Sequence, residues 1–300
     1  MFDSNQKRGK YLAFSRMTDL ALWQRQPADD PAGDFPTVLL VHGLTGNSRT
    51  WSAVVGHLSP ETGFAAPDLR GRGASWELPG PYGIRRHADD LAALVEKLGI
   101  APVVIAGYSM GAYVGTVFAT RHPNLTRAVV AVDGGLRVEV PDDLEDEEAL
   151  DLAVGPSLSN LALRFASGDE YLAAWGSHPA HEPYLDQLWE PSPGYDLAGS
   201  EPELRLRTNR DAVLQDGTDL LFDKEVIGAA HNVAVQMTLL TVDHGMFDQP
   251  GGFISNQEAE NLVAKNANAE WRRFETLNHS TLMLGNGAKF VARAIEDLIA

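Results

Sequence analysis

The chain contains no cysteine among its 300 residues. Disulfide bonds, a thiolate nucleophile and cysteine-ligated zinc sites are therefore excluded. Basic residues are also scarce, since 24 Lys and Arg stand against 41 Asp and Glu, which gives a formal net charge of −17. This charge disfavours binding to nucleic acids or to anionic membranes. We therefore expect the binding partner to be a small neutral or apolar molecule.

Long apolar runs are missing as well. No stretch approaches the length of about 18 apolar residues that a transmembrane helix needs, and the opening residues, MFDSNQKR, lack the apolar centre of a signal peptide. We therefore expect a soluble, cytoplasmic protein. A chain of 300 residues can bury a large core, and its length suits one catalytic domain with an insertion. The sequence does not indicate an oligomeric state.

Short apolar runs of buried-strand type recur along the chain. They are residues 37–41, 103–106, 128–132 and 236–242, and most are separated by segments with helical periodicity. This alternation predicts an α/β fold with a mostly parallel sheet flanked by helices, and it places function at the carboxyl ends of the strands. Tyr11 to Gln24 alternates weakly, which predicts one or two antiparallel edge strands before the core.

The pattern changes between residues 136 and 230, where buried-strand runs disappear and helical patterns with several aromatic residues take over. We therefore expect an α/β core domain at residues 1–135 and 231–300, with a helical cap inserted at residues 136–230. Trp175 and Trp189 are predicted to line a substrate pocket, because an indole offers a large apolar area and one polar donor. His178 and His181 do not predict a metal site, because Pro179 interrupts the helix that would align them.

A glycine-flanked serine occurs in the stretch Gly107-Tyr108-Ser109-Met110-Gly111, between a strand run and a helical run. A strand-to-helix corner presents the serine hydroxyl clear of the backbone, while the N-terminus of the following helix offers N–H groups to a developing oxyanion. The pentapeptide alone is only moderately specific, since a structural glycine turn has the same pattern. It indicates a candidate nucleophile whose partners must come from elsewhere in the chain.

Four motifs in order resemble the α/β-hydrolase fold family, in its serine esterase and lactonase-like branch. They are HGLTG after one strand, PDLRGRGAS after the next, GYSMGA at the corner, and a histidine between the last strand and the last helix. The resemblance implies a mostly parallel eight-stranded sheet with an α-helical cap. It also implies that Ser109 is the nucleophile, that His279 is the general base, and that the N–H groups of Leu44 and Met110 form the oxyanion hole. His42 is predicted to be a packed loop residue, and the arginines at 70 and 72 are predicted to hold their loop in place.

The acid of the implied triad has two candidates. Many family members carry it after the strand that follows the cap, but this chain has Gly245 near that position, with Asp243 slightly early and Asp248 late. Asp133 follows the strand after the corner helix, where some haloalkane dehalogenases and lactone hydrolases of the family place their acid. We predict Asp133, with Asp248 as the alternative. His244 is the rival base, but the family order of serine, acid and histidine favours His279.

These residues predict hydrolysis of a carboxylic ester or lactone of a small, largely apolar substrate, without a metal or an organic cofactor. A serine at the corner argues against the dehalogenase and epoxide-hydrolase branches, which need a carboxylate there. The fold also hosts carbon–carbon bond hydrolases, thioesterases and perhydrolases, and these remain open. A ligand receptor that binds without turnover is the alternative from another class.

Overall fold

The structure is a computed structural model that describes residues 19–26, 37–141, 143–181 and 192–299. Its main sheet has seven strands: β1 (Leu22–Arg25), β2 (Thr37–Val41), β3 (Gly63–Pro67), β4 (Val103–Tyr108), β5 (Thr126–Val132), β8 (Gln236–His244) and β9 (Ala269–Asn278). A separate two-stranded sheet joins β6 (Leu197–Ala198) to β7 (Arg205–Leu206).

The strand order in the main sheet is β1-β3-β2-β4-β5-β8-β9. Strand β1 pairs antiparallel with β3, whereas every other pairing is parallel. The α/β class and the mostly parallel sheet are therefore confirmed, with seven strands in the described residues where eight were expected. Residues 11–18, which belong to the predicted edge-strand segment, lie outside the described residues.

Helices connect the strands, and one more follows the last strand. They are α1 (Ser52–Val55), α2 (Ile84–Leu98), α3 (Met110–Arg121), α4 (Asp146–Ala162), α5 (Gly168–Gly176), α6 (Pro193–Asp196), α7 (Arg210–Phe222), α8 (Lys224–Gly228), α9 (Asn256–Lys265) and α10 (Gly285–Ile299). No helix in these ranges is long and apolar enough to cross a membrane.

Both faces of the sheet are covered. Leu39 and Val41 point to a cluster that includes side chains of α2, α3, α8 and α9, while Val38 and Leu40 point to a second cluster with α1 and α10. All four of these β2 side chains are fully buried. Because side chains alternate across a strand, a strand buried on both faces reads as a continuous apolar run, which is why these strands were recognisable in the sequence.

The segment between β5 and β8 holds helices α4 to α8 and the small β6–β7 sheet. Helix α4 packs against α7, and α5 packs against α6. The predicted cap range of 136–230 includes side chains that belong to the main core, because Leu220, Val226 and Ala230 are buried in the same cluster as α2 and α3. Helices α7 and α8 therefore pack as a layer of the core. Helices α4 and α5, which come before them, extend over the carboxyl edge of the sheet.

Candidate active site

Ser109 lies at the corner between β4 and α3 with φ of 54° and ψ of −120°. A non-glycine residue at positive φ is strained, and such residues concentrate at functional sites. Two glycines make the corner sterically possible. A Cβ on Gly107 would lie 2.0 Å from the carbonyl oxygen of Gly111, and a Cβ on Gly111 would lie 2.1 Å from that of Val41. The glycines of the motif are therefore required by close backbone contacts.

Asp133 follows β5, the strand that pairs with β4, so the sheet brings it close to the corner. The Ser109 N–H donates to the carbonyl of Val132 at 2.8 Å, immediately before Asp133. Across the site, the Nδ1 atom of His279 lies 2.6 Å from Oδ2 of Asp133. Both side chains are at least 94% buried, so water does not weaken this hydrogen bond. The other carboxylate oxygen, Oδ1, is buried without a hydrogen-bond partner in the described residues.

The alternative carboxylates have other partners. Asp248 accepts a hydrogen bond from Nδ2 of Asn278 at 3.0 Å. Asp243 forms two contacts of 2.5 Å with the guanidinium of Arg273, and this hydrogen bonding lowers the pKa of Asp243. Neither carboxylate has a hydrogen bond to His279. His244, the rival base, contacts His279 through its backbone, since its carbonyl accepts the N–H of His279 at 3.2 Å.

The loop after β2 lies against the corner, since a Cβ on Gly43 would be 3.3 Å from Cβ of Ser109. His42 holds this loop from inside the core. Its Nε2 accepts the N–H of Leu69 at 3.0 Å, so the ring hydrogen is on Nδ1, which donates to the Gly43 carbonyl at 2.8 Å. Burial lowers the pKa of His42 to about 3, so the ring is neutral. Because C=O and N–H of a trans peptide point in opposite directions, the Leu44 N–H points away from His42.

A cavity of about 980 Å³ opens over the corner, and Leu44, Ser109 and His279 all lie on its wall. Most of the lining surface is apolar, and the lining comes from α4, α5 and α7, from the loops after β2 and β8, and from residues 206–208. Trp175 is on this wall, with its ring centroid 4.4 Å from that of His181. Trp189, the other predicted pocket residue, lies outside the described residues. Met110 is buried at the start of α3, next to the nucleophile candidate.

Sequence reasoning missed the residues that hold the histidine. The rings of Tyr108 and Phe253 lie 4.9 Å and 5.0 Å from the imidazole of His279, and the Tyr108 hydroxyl donates to the carbonyl of His279 at 3.1 Å. Tyr108 precedes the serine within the motif, which is a signal that could have been used. Phe253 lies in an irregular segment, and nothing in the sequence distinguishes it. Within the described ranges, no group of three or more His, Asp or Glu side chains is placed to hold a metal ion.

Comparisons with known proteins agree with this architecture. The family model described as the α/β hydrolase fold matches residues 36–177, a range that includes Leu44, Ser109 and Asp133 but not His279. The chain is 38% identical over 103 residues to lipase LipV of Mycobacterium tuberculosis, covering 34% of this chain and 38% of that protein. It is 35% identical over 101 residues to 2-(acetamidomethylene)succinate hydrolase of Mesorhizobium japonicum, covering 34% of this chain and 36% of that enzyme.

The similarity extends further in three dimensions. The crystal structure of an E-2-(acetamidomethylene)succinate hydrolase superposes with a TM-score of 0.74 at 20% identity, and covers 93% of this chain and 94% of that one. In sequence, by contrast, the matched parts span only 30% to 41% of the length of the curated relatives. The overall fold is thus shared over nearly the whole chain, while the curated relatives match it in sequence over about a third of its length.

Proposed function

Because the chain belongs among the α/β-hydrolase fold proteins, we propose that it is a serine hydrolase that cleaves a carboxylic ester or lactone through an acyl-enzyme on Ser109. The observation that carries the proposal is the 2.6 Å contact between Nδ1 of His279 and Oδ2 of Asp133, beside a serine held at positive φ. A serine hydroxyl is a weak nucleophile at neutral pH, and a carboxylate-oriented imidazole is the group that activates it.

In the proposed reaction, Oγ of Ser109 attacks the carbonyl carbon while Nε2 of His279 accepts the hydroxyl proton. Asp133 fixes the tautomer of the imidazole and stabilises the imidazolium. The N–H groups of Leu44 and Met110 donate to the oxygen that becomes negative. The imidazolium then protonates the leaving alcohol, and a water molecule activated by the same base releases the acid from Ser109. No metal or organic cofactor takes part in these steps.

We also propose that residues 136–230 act as a cap that forms the substrate pocket. Leu152, Leu163 and Trp175 from this segment line the cavity over the serine, which supports that role. A cavity of about 980 Å³ is at the upper end of the range of small-molecule sites. Its mostly apolar wall favours an ester or lactone with a sizeable apolar group.

The test is a steady-state assay with p-nitrophenyl esters of increasing acyl length and a panel of lactones, together with mass spectrometry of the intact protein after treatment with a fluorophosphonate. We expect multiple turnovers and a single adduct on Ser109, and we expect Ser109→Ala to lose both. Removing the nucleophile costs about 10⁶-fold in kcat in a comparable triad. Ser157→Ala, which changes another cavity serine on α4, is the matched control and keeps activity and labelling.

The proposal is wrong if Ser109→Ala retains turnover, or if ligands bind to the wild type without being turned over, as in a receptor. A second candidate function is cleavage of an acyl C–N bond, because the relative from Mesorhizobium japonicum is named for a substrate with an acetamido group. Matched p-nitrophenyl esters and p-nitroanilides of one acyl group separate the two, since an esterase gives a much higher kcat/KM with the ester.

A further inference from the structure

A buried guanidinium lies directly behind the loop that carries the proposed oxyanion donor. Arg72 is fully buried, and its Nε donates to the carbonyl of Leu44 at 2.9 Å. Its Nη2 lies 3.9 Å from Sδ of Met110, the residue whose N–H is the second proposed donor. One side chain therefore contacts both residues of the proposed oxyanion hole from the side of the core.

The charge of Arg72 is balanced by a residue of the cap segment. Asp216 on α7 lies 2.5 Å from Nη2 of Arg72, and neither side chain is exposed to solvent. Burial alone would raise the pKa of Asp216, but the charge of Arg72 and the contact with His87 outweigh it and lower this pKa to about 2. Asp216 also accepts the N–H of Gly83 at 2.8 Å. It is thus an ionised, well-anchored partner that fixes one edge of the guanidinium.

The backbone of the cap segment supports the same loop. The N–H of Gly73 donates to the carbonyl of Arg207 at 2.9 Å, and the N–H of Asn209 donates to the carbonyl of Gly71 at 2.8 Å. Arg72 therefore lies between the cap segment on one side and the Leu44 loop on the other. A planar guanidinium with several donors in fixed directions can hold both sides at once, whereas an ammonium is a single flexible point charge.

We propose that Arg72 is a positioning residue that sets the oxyanion hole by holding the Leu44 carbonyl, with Asp216 of the cap segment as its anchor. This inference rests on the proposed serine-hydrolase function. The carbonyl and the N–H of Leu44 belong to the two peptide units on either side of its Cα, so Arg72 on the one unit and His42 on the other together limit φ and ψ of Leu44 and thereby the direction of its N–H. Donors that are already oriented stabilise the oxyanion, which forms only in the transition state. Arg72 therefore acts on the transition state through Leu44 and does not bind the substrate.

Arg70 supplies a matched control, because it is an almost fully buried arginine of the same loop with different partners. It binds Asp90 through two contacts of 2.8 Å and 3.0 Å, and it donates to the carbonyl of Pro79 at 2.8 Å. It has no hydrogen bond to Leu44 or Met110. Arg70→Lys and Arg72→Lys therefore remove comparable buried hydrogen bonds while keeping the charge, but only the second change releases the Leu44 carbonyl.

The experiment measures kcat, KM and the inhibition constant of an arylboronic acid, which forms a tetrahedral adduct on the serine, for the wild type and both variants. For Arg72→Lys we expect kcat to fall on the order of 10²-fold, as for a small misplacement of a catalytic group. We expect the boronic acid to weaken in parallel and KM to stay within about twofold, because ground-state binding is not affected. Arg70→Lys keeps all three values near those of the wild type, although its melting temperature falls.

A structural measurement is independent of turnover. The amide resonance of Leu44 in a ¹H–¹⁵N spectrum is expected to shift, and its hydrogen to exchange faster with solvent, in Arg72→Lys but not in Arg70→Lys.

If Arg72→Lys does not fold, Asp216→Asn replaces it, and a smaller loss of kcat with unchanged KM is expected because the contact from Nε of Arg72 to Leu44 is kept. The inference is overturned if the two lysine variants lose kcat equally, if only KM changes, or if the Leu44 resonance does not move. Absence of turnover in the wild type with the Leu44 shift intact contradicts the proposed function and leaves the loop-positioning role standing.

Discussion

Asp133 is the residue on which the proposed activation of the nucleophile through His279 depends. It is fully buried, one carboxylate oxygen accepts Nδ1–H of His279, and the other has no partner among the described residues. A buried polar atom without a partner is costly, so the single hydrogen bond that remains is the dominant polar interaction of this side chain. The orientation of the imidazole and the environment of this carboxylate are therefore tightly coupled.

Asp133→Asn is expected to lower kcat far more than Asp248→Asn does. The first change leaves the shape intact but stabilises the wrong tautomer of His279, so kcat is expected to fall on the order of 10⁴-fold. Asp248→Asn is the matched control and stays within a few-fold of the wild type, because that carboxylate binds the amide of Asn278 instead. Steady-state kinetics with the best ester substrate make the comparison. The opposite order of effects would assign the acid to Asp248.

Buried His42 is expected to make the free energy of unfolding depend on pH. Its pKa in the folded protein is lowered to about 3 by burial, whereas the unfolded chain has the ordinary value of about 6.5. Between these values the unfolded state binds more protons, so the free energy of unfolding decreases as the pH falls from about 6.5 towards 3, by at most about 1.4 kcal/mol per pH unit. His42→Gln, which can still accept from Leu69, removes this contribution.

The measurement for His42 is the difference in unfolding free energy between wild type and variant, from urea titrations at several pH values from 4.5 to 7.5. The difference is expected to change with pH in the lower half of this range and to be constant above about pH 7. His57→Gln, which replaces an exposed histidine by the same residue, is measured alongside as the control for the substitution itself. A flat profile for His42→Gln would mean that the buried ring accepts a proton without a stability cost.

Local sequence pattern was sufficient to propose Ser109 and Leu44, because each belongs to a motif next to a recognisable strand. Asp133 was selected by its place at the end of a strand next to β4, and its contact with His279 remains the support for its role. Arg72 and Tyr108 also lie in recognisable motifs, but their partners, Leu44 and His279, could not be predicted because they are 28 and 171 residues away in the chain. Contacts of this kind depend on the packing of the whole sheet and leave no periodic pattern in the sequence.

At the scale of elements, the segment between β5 and β8 combines two roles. Its helices α4 and α5 supply apolar cavity wall, and α8 packs on the core. Helix α7 does both, since Leu220 lies on the cavity wall and in the core cluster, and it also provides Asp216. The sequence indicated helices here, and the described part of the segment contains five of them, α4 to α8. The β6–β7 pair was missed because two-residue strands are too short for alternation to be visible.

The prediction for this element concerns Trp175 on α5. Its indole lines the cavity and packs against the ring of His181, so Trp175→Ala removes apolar surface from the pocket without touching Ser109 or His279. We expect KM for long-chain or aromatic esters to rise about tenfold, as for the loss of 1–2 kcal/mol of apolar contact, with little change for acetate esters. Trp76→Ala, whose ring contacts Arg205 outside the cavity, is the control. Equal effects on short and long esters would exclude Trp175 from substrate binding.

The whole molecule places its proposed chemistry along one edge of the sheet. Leu44 follows β2, Ser109 follows β4, Asp133 follows β5 and His279 follows β9, so four carboxyl ends contribute. Parallel strands force these ends to one side, which explains why residues far apart in sequence approach each other. The strand runs predicted this arrangement, but the size of the cavity was not predictable because it depends on how the cap segment packs.

The position of Asp133 before the cap segment also affects how such a protein can diversify. Three of the four proposed parts, namely the oxyanion loop, the nucleophile and the acid, lie within the first 135 residues. Only His279 comes after the insertion. Helices α4 and α5, which line the cavity and do not carry Asp216, can therefore be replaced while these three parts keep their places, and the contact from Nδ1 of His279 to Oδ2 of Asp133 does not involve the exchanged helices. In a protein whose acid followed β8, two of the four parts would lie beyond the insertion, and both would have to keep their positions when the inserted helices change.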